Sequence, residues 1–118
     1  MEKEKIIGKR ISNVKFDKEN DRIIFNFSDG DQYSISDEGQ YYCEYRYMVC
    51  EDNLSYYSDT ILKDILVTDC DEKKEADFEY TDIQFLEIIT DKGSFQFSTR
   101  NEHNGYYGGF EIEIKKIN

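Results

Sequence analysis

The stretch IQFLEIITDKGSFQFSTR at residues 83–100 restricts the fold more than any other part of the chain. Its first half is apolar at both alternating sets of positions, which is typical of a strand in the middle of a sheet. A DKG loop follows, in which Gly93 can take a positive φ. Phe95 and Phe97 then alternate with polar residues. The stretch therefore predicts an antiparallel hairpin of two strands.

Five further segments with alternating apolar residues predict additional strands. They are residues 9–16, 21–28, 28–36, 62–70 and 110–116. The first three predict an N-terminal antiparallel meander, because Asp29-Gly30 is a strong two-residue turn signal. We expect the large apolar side chains of the strands to be buried, namely Phe25, Phe27, Phe85, Phe95, Phe97 and Ile112.

The middle of the chain and one charged segment do not have a single clear period. Residues 43–50 fit the spacing of a strand and the spacing of a helix equally well, so both assignments stay open. Residues 52–59 predict a short helix or a turn, with Asp52 or Asn53 as its N-cap. The charge run at residues 71–82 predicts a solvated loop.

The size and charge of the chain limit its organisation and its partners. Its 118 residues predict one domain over residues 1–118, of class α+β and mostly antiparallel β, with about seven strands and one or two short helices. The formal net charge of −11 argues against non-specific nucleic-acid binding. The sequence has neither an apolar run of about 18 residues nor a secretion signal, which predicts a cytoplasmic protein without a membrane contact.

The three cysteines are Cys43, Cys50 and Cys70. Their odd number favours reduced thiols in the cytoplasm. Their spacing also lacks the CxxC pairs of structural zinc sites. We therefore expect three buried thiols that act as small apolar side chains, and neither a metal nor a cofactor.

The stretch RNEHNGYYGGF at residues 100–110 is the candidate functional segment. We expect it to connect two neighbouring strands, and at about ten residues it exceeds the usual hairpin loop. An arginine can hold a phosphate, tyrosines can stack on a base, and amides and imidazole can bind ribose and base edges. The alternative is a glycine-rich corner whose tyrosines pack on the core. The candidate ligand-binding residues are Arg46, Arg100, Asn101, His103, Asn104, Tyr106 and Tyr107.

Arg46 is the candidate that lies outside this segment, within the acidic and aromatic stretch CEYRYM. One interpretation is a surface salt bridge with Glu44 or Glu51, which contributes little to stability. The other is a second anion contact that faces Arg100 across a shared pocket. The sequence leaves both interpretations open.

Four stretches resemble a family of small proteins from bacteria, phages and prophages. They are YCEYRYM at 42–48, DNLSYY at 52–57, ITDKGSFQF at 89–97 and RNEHNGYYGGF at 100–110, and NGYYGG is the most specific of them. The layout, which covers nearly the whole chain, is similar to that of the phage anti-Thoeris sponge proteins. Those proteins sequester cyclic ADP-ribose isomers and break no bonds. The chain has YCEYRY where the sponges have a Cys-Ser-Glu-Ser-like run.

These observations support two functional hypotheses from different classes. The first, implied by the resemblance, is a non-enzymatic phage-type counter-defence protein that sequesters a cyclic ADP-ribose isomer or a cyclic nucleotide. The second is an acidic DNA mimic that inhibits a defence nuclease by protein–protein contact, because 26 acidic residues stand against 15 basic ones. An accessory protein with no small ligand also stays open. The sequence has no G-x-S-x-G, P-loop or H-E-x-x-H motif, so we do not expect an enzyme.

A tyrosine-rich antiparallel sheet has an edge or a face to cover. We therefore expect a homodimer or a higher symmetric assembly.

Overall fold

A computed structural model describes residues 2–39, 44–74, 79–103 and 108–118 of the chain. Within these ranges the regular structure consists of eight strands and two short 3₁₀ turns, at Lys3–Lys5 and Leu54–Tyr57. No helix in them is long and apolar enough to cross a membrane. The strands are β1 (Arg10–Asp17), β2 (Arg22–Phe27), β3 (Gln32–Asp37), β4 (Tyr45–Val49), β5 (Thr60–Lys74), β6 (Glu79–Thr90), β7 (Gly93–His103) and β8 (Ile112–Lys116).

The fold is all-β, so the predicted α+β class is wrong. Residues 43–50, whose spacing fitted both a strand and a helix, contain strand β4, because their backbone pairs with β7 from Tyr45 to Val49. The second expected helix is only a 3₁₀ turn. Asn53 caps this turn by accepting a hydrogen bond from the Ser55 amide, and an extended Ser58 ends it after four residues.

The eight strands form one antiparallel sheet in the order β4-β7-β6-β5-β1-β2-β3-β8. Its two halves are joined by a short β1–β5 contact, in which Arg10 pairs with Ile61 and Ile11 pairs with Thr60. The halves also face each other, since the rings of Phe25 in β2 and Phe95 in β7 are 6.4 Å apart. The molecule is therefore a two-layer structure with its core between the halves.

The core contains apolar residues from both halves of the sheet, including Ile11, Ile23, Phe25, Ile35, Met48, Leu62, Ile65, Leu86, Ile88, Phe95 and Phe97. Both hairpins that the sequence predicted supply residues to it. The β1-β2-β3 meander pairs antiparallel throughout. The β6–β7 hairpin closes where Thr90 pairs with Gly93, whose φ of +125° suits glycine. The local turn and period signals were therefore sufficient for these two units.

The charge run forms two paired strands rather than the expected solvated loop. Strand β5 continues to Lys74 and β6 begins at Glu79, with Asp71 paired to Asp82 on the way. Residues 75–78 lie outside the described ranges. Charged residues are compatible with a strand here, because the backbone hydrogen bonds between β5 and β6 form whatever the side chains are. The hairpin that results is long, in a molecule of 47 × 26 × 24 Å.

The connection from β7 to β8 does not join neighbouring strands, contrary to the expectation from the sequence. Strand β7 extends to His103, and β8 pairs with β3 in the other half of the sheet. The chain must therefore cross from one layer to the other after His103. This crossing explains why the connection exceeds the length of a hairpin loop.

Two of the six residues expected in the core are only half-buried. Phe85 pairs with Ser98 and points away from the core, whereas its neighbour Leu86 points into it. Ile112 begins the edge strand β8 and packs at the margin of the core. Both faces of β6 are apolar, so the sequence pattern did not distinguish its inner face from its outer one.

We predict that Phe97→Ala lowers the free energy of unfolding by about 3–5 kcal/mol, because it leaves a cavity in the core. Phe85→Ala should cost less than about 2 kcal/mol, since only part of that ring is removed from water. Urea unfolding of the two variants measures the difference. Equal costs would show that Phe85 is as buried as Phe97.

Candidate functional site

Strands β4 and β7 carry the described candidate residues, and their pairing register decides which of them meet. Arg46 lies opposite Asn101, and Tyr47 lies opposite Arg100. Since successive side chains of a strand point to opposite faces, Arg46 and Asn101 point to the inner face with Met48. Arg100 points to the outer face with Tyr47. The two arginines are therefore not brought together in one pocket.

Arg46 is buried between two carboxylates. Its Nη1 donates to both oxygens of Asp37 at 2.9 Å, and its Nη2 donates to Glu44 at 3.1 and 3.2 Å. The exposed fractions of the three side chains are 5%, 4% and 0% for Arg46, Asp37 and Glu44. Burial acts to lower the pKa of the guanidinium, but Asp37 and Glu44 raise it above its usual value. Arg46 thus forms a salt bridge with Glu44, which was one of the two partners considered from the sequence. The bridge is buried, however, and not on the surface as that interpretation had it.

Asp37 also binds two backbone amides close to the Arg46 ion pair. Its Oδ1 accepts hydrogen bonds from the amides of Gly39, at 3.1 Å, and Glu111, at 2.9 Å. Gly39 lies so close to the guanidinium that an added Cβ would overlap Arg46 Nη1. A larger residue at position 39 would therefore push the arginine out of its place. One carboxylate thus ties β3, β4 and the segment before β8 together.

Asn101 extends this inner network across β7. It is fully buried, and its Nδ2 donates to Glu44 Oε2 at 2.5 Å and to the carbonyl of Gly109 at 3.2 Å. These two acceptors fix the orientation of the amide. Its Oδ1 and the hydroxyl of Thr99 are buried and have no hydrogen-bond partner among the described residues. An unsatisfied buried polar atom costs about 1–3 kcal/mol, so both oxygens are unusual.

His103 ends β7 against a third carboxylate. Its Nε2 lies 3.0 Å from Asp82 Oδ2, which also accepts the Gly109 amide at 3.1 Å. The Tyr80 ring stacks on the imidazole at 5.7 Å between centroids. Gly108 has a φ of +152°, and a Cβ there would be 2.5 Å from Asp82 Oδ2. The glycine therefore allows the chain to pass close to the His103–Asp82 pair.

The inner network consists of Asp37, Glu44, Arg46, Asp82, Asn101 and His103. It brings together three of the seven candidate residues, Arg46, Asn101 and His103. Three further candidates from the segment 100–110, Asn104, Tyr106 and Tyr107, lie outside the described residues. Three carboxylates stand against one arginine and one histidine, so the network does not favour a phosphate. Nor does the described part of the chain contain a group of three His, Cys, Asp or Glu side chains that could hold a metal ion.

Arg100 lies at a groove of about 220 Å³ on the outer face. We call it the outer groove; it is lined by Val49, Glu51, Asp52, Phe85, Gln96, Phe97, Ser98 and Arg100. Arg100 is half-buried, and its Nε is buried without a hydrogen-bond partner among the described residues. Burial and the Glu102 carboxylate raise the pKa of Tyr47, while the neighbouring Arg100 lowers it. Arg100 thus lies beside the half-buried phenol of Tyr47 and the acids Glu51 and Asp52.

A family model described as a domain of unknown function (DUF7448) matches residues 4–111. The chain belongs to this family. Comparison with curated proteins and with solved structures gave no match. The DUF7448 match contains the inner network and the outer groove, and it ends immediately before β8 begins at Ile112.

Sequence reasoning missed the residues that organise the inner face of this DUF7448 domain. Asp37, Glu44 and Asp82 are three of 26 acidic residues, and nothing in their spacing marks them. Thr99 follows two phenylalanines in an alternating strand, where a threonine is ordinary. Gly39 was the available signal, since a glycine just after a strand can mark a close approach of the backbone to another group.

The cysteines of the DUF7448 domain differ in exposure, so the expectation of three buried thiols is wrong. Cys70 is exposed on β5, and Cys50 is partly buried against the core. Cys43 lies outside the described residues. Burial raises the pKa of the Cys50 thiol above its usual value, and neighbouring acids add to the effect.

We predict that Arg46→Met lowers the free energy of unfolding by about 3–5 kcal/mol, because it leaves Asp37 and Glu44 as buried charges without their partner. The matched control is Arg10→Met, which breaks an exposed ion pair with Asp59 at 3.0 Å and should cost at most about 1 kcal/mol. Chemical denaturation measures both. Similar small costs would mean that the Arg46 bridge is exposed in solution.

We predict that Cys70 reacts faster than Cys50 with Ellman's reagent at neutral pH. Since the thiolate is the reactive form, the raised pKa and the burial of Cys50 both slow its reaction. A Cys43→Ser background leaves two thiols, and adding Cys70→Ser should remove the fast phase. If Cys50→Ser removes it instead, the assignment of exposure is reversed.

Proposed function

We propose that the protein is a non-enzymatic binding protein that sequesters a small nucleotide signal, a cyclic ADP-ribose isomer or a cyclic nucleotide. In this proposal the outer groove holds the phosphate and ribose part of the ligand. The single observation that supports it is Arg100, a half-buried cation whose Nε has no hydrogen-bond partner among the described residues.

The state of Arg100 is unusual in a chain with a net charge of −11. Arg10, Arg22 and Arg46 each bind a carboxylate within 3.2 Å. A guanidinium that is partly removed from water without such a partner carries a desolvation cost. An anionic ligand removes that cost, and a guanidinium matches the geometry of a phosphate through paired hydrogen bonds. Arg100 is therefore the arginine that best supports an anion contact.

The other groups of the outer groove suit the sugar rather than a second phosphate. Glu51 and Asp52 repel additional negative charge, but carboxylates accept hydrogen bonds from hydroxyl groups. Phe85 supplies an apolar surface beside them. The volume of about 220 Å³ is below the 300–1,000 Å³ usual for a whole ligand, so the base extends beyond the groove.

The three candidates that lie in the inner network, Arg46, Asn101 and His103, do not bind the phosphate in this proposal. Asn101 and His103 are engaged with Glu44 and Asp82, and Arg46 is neutralised by its own ion pairs. They support the connection that follows β7 instead of binding the phosphate. The tyrosines of that connection stay candidates for stacking on the base, because flat aromatic rings suit that contact.

The biological role in the proposal comes from that same resemblance. A phage or prophage protein that removes a nucleotide signal counteracts a host defence without any chemistry. It acts in the cytoplasm, where such signals are made. The DNA-mimic alternative receives less support, because many of the described carboxylates form ion pairs with lysine or arginine side chains.

We predict that Arg100→Gln weakens nucleotide binding roughly ten- to hundredfold, the scale of a hydrogen bond to a charged group. Calorimetry with cyclic ADP-ribose isomers and cyclic nucleotides measures the affinity, and thermal melting should change little. Arg10→Gln is the control, because it removes an arginine that already has a carboxylate partner. Absence of heat for the whole panel, or equal binding by both variants, would contradict the proposal.

We also propose that the protein forms a symmetric homo-oligomer. Strand β4 lies at one end of the sheet order, and its Tyr45 is 63% exposed. An edge strand with an exposed aromatic side chain is a ready surface for a second copy. Light scattering at tens of micromolar should give a mass of at least twice 14.1 kDa. A monomeric mass would refute this.

A further inference from the structure

A second cavity lies on the inner side of β4, where the two halves of the sheet approach each other. Its volume is about 270 Å³, and Asp21, Asp37, Glu38, Arg46 and Thr99 contribute to its walls. It is separate from the outer groove, since Thr99 and Arg100 point to opposite faces of β7. We call it the inner cavity.

The charges around the inner cavity favour a cation. Three carboxylates line it against the single guanidinium of Arg46, which is already bound to Asp37 and Glu44. Glu38 also pairs with Lys115 at 3.1 Å, which offsets part of its charge on the solvent side. Asp21 accepts the Met48 amide at 3.3 Å through one oxygen. The remaining field is negative, so an anion is repelled and a cation is attracted.

An independent feature of the cavity points to a ligand that donates hydrogen bonds. Thr99 is fully buried, and its hydroxyl has no partner among the described residues. It lines the inner cavity. Native structures satisfy nearly all buried polar groups, so an orphaned hydroxyl at a cavity wall suits a hydrogen-bonding partner inside the cavity. A donor in the cavity satisfies it.

We propose that the inner cavity binds a small organic cation with a primary ammonium group, such as a short aliphatic amine. The ammonium carries three N–H donors, which suit the carboxylates of Asp21 and Glu38 and the Thr99 hydroxyl. The Met48 side of the cavity accommodates the alkyl chain. This site does not depend on the nucleotide proposal, because it shares none of the groups that line the outer groove.

The test uses calorimetry on the full chain with butylamine, and with butanol as the neutral probe of similar shape. Butylamine should bind and butanol should not. Thr99→Val keeps the shape of the side chain and removes the hydroxyl, and it should weaken butylamine binding about tenfold or more. Asp21→Asn should weaken it as well. Thr68→Val, at an exposed position on β5, is the matched control and should bind as the unmodified protein does.

Several results would overturn the proposal. Equal heats from butanol and butylamine would remove the role of the charge. Equal butylamine binding by Thr99→Val and Thr68→Val would place the amine elsewhere on the acidic surface. Absence of heat with the unmodified protein at millimolar butylamine would also end it. Thermal melting of each variant confirms that it is folded, and Arg100→Gln should bind butylamine normally.

Discussion

The double ion pair of Arg46 is the interaction on which the two-layer arrangement depends. The strand pairing that joins the two halves is narrow, since β1 and β5 share two residue pairs. At the far end of the sheet, Arg46 in β4 reaches across to Asp37 in β3. The same Asp37 binds the backbone before β8. One buried charged group therefore holds strands that are distant in the sheet order next to each other.

This interaction also separates the charges of the protein into two environments. Arg46 and its carboxylates leave a net negative inner face, whereas Arg100 is left on the outer face of the same pair of strands. The alternation of side chains along β4 and β7 is sufficient to produce this division. An anion is therefore best placed on the outside of the sheet, and a cation on the inside. The two proposals follow from one geometric fact, but each concerns its own face.

The local parts of the fold could be predicted from the sequence, and the long-range parts could not. Turn signals such as Asp29-Gly30 and Asp91-Lys92-Gly93 join strands that are adjacent in the chain, so the pattern predicts their pairing. The pairing of β4 with β7 and of β3 with β8 joins residues that are 49 or more positions apart. Their register depends on how the whole core packs, which a local pattern does not report.

The same limit explains which part of the candidate site was foreseen. The residue types between Arg100 and Phe110 marked that segment as a candidate site. The faces on which Arg46 and Arg100 lie depend instead on the strand register, because a shift of one residue turns every side chain to the opposite face. The described residues at the two ends of the segment show which contacts hold it. His103 and the Gly109 amide both bind Asp82, and Asn101 binds the Gly109 carbonyl. His103 at the end of β7 and the Gly109 amide are therefore held at the same carboxylate. A packed corner and a binding segment are then compatible interpretations, because the inner network acts on the two described ends of the connection.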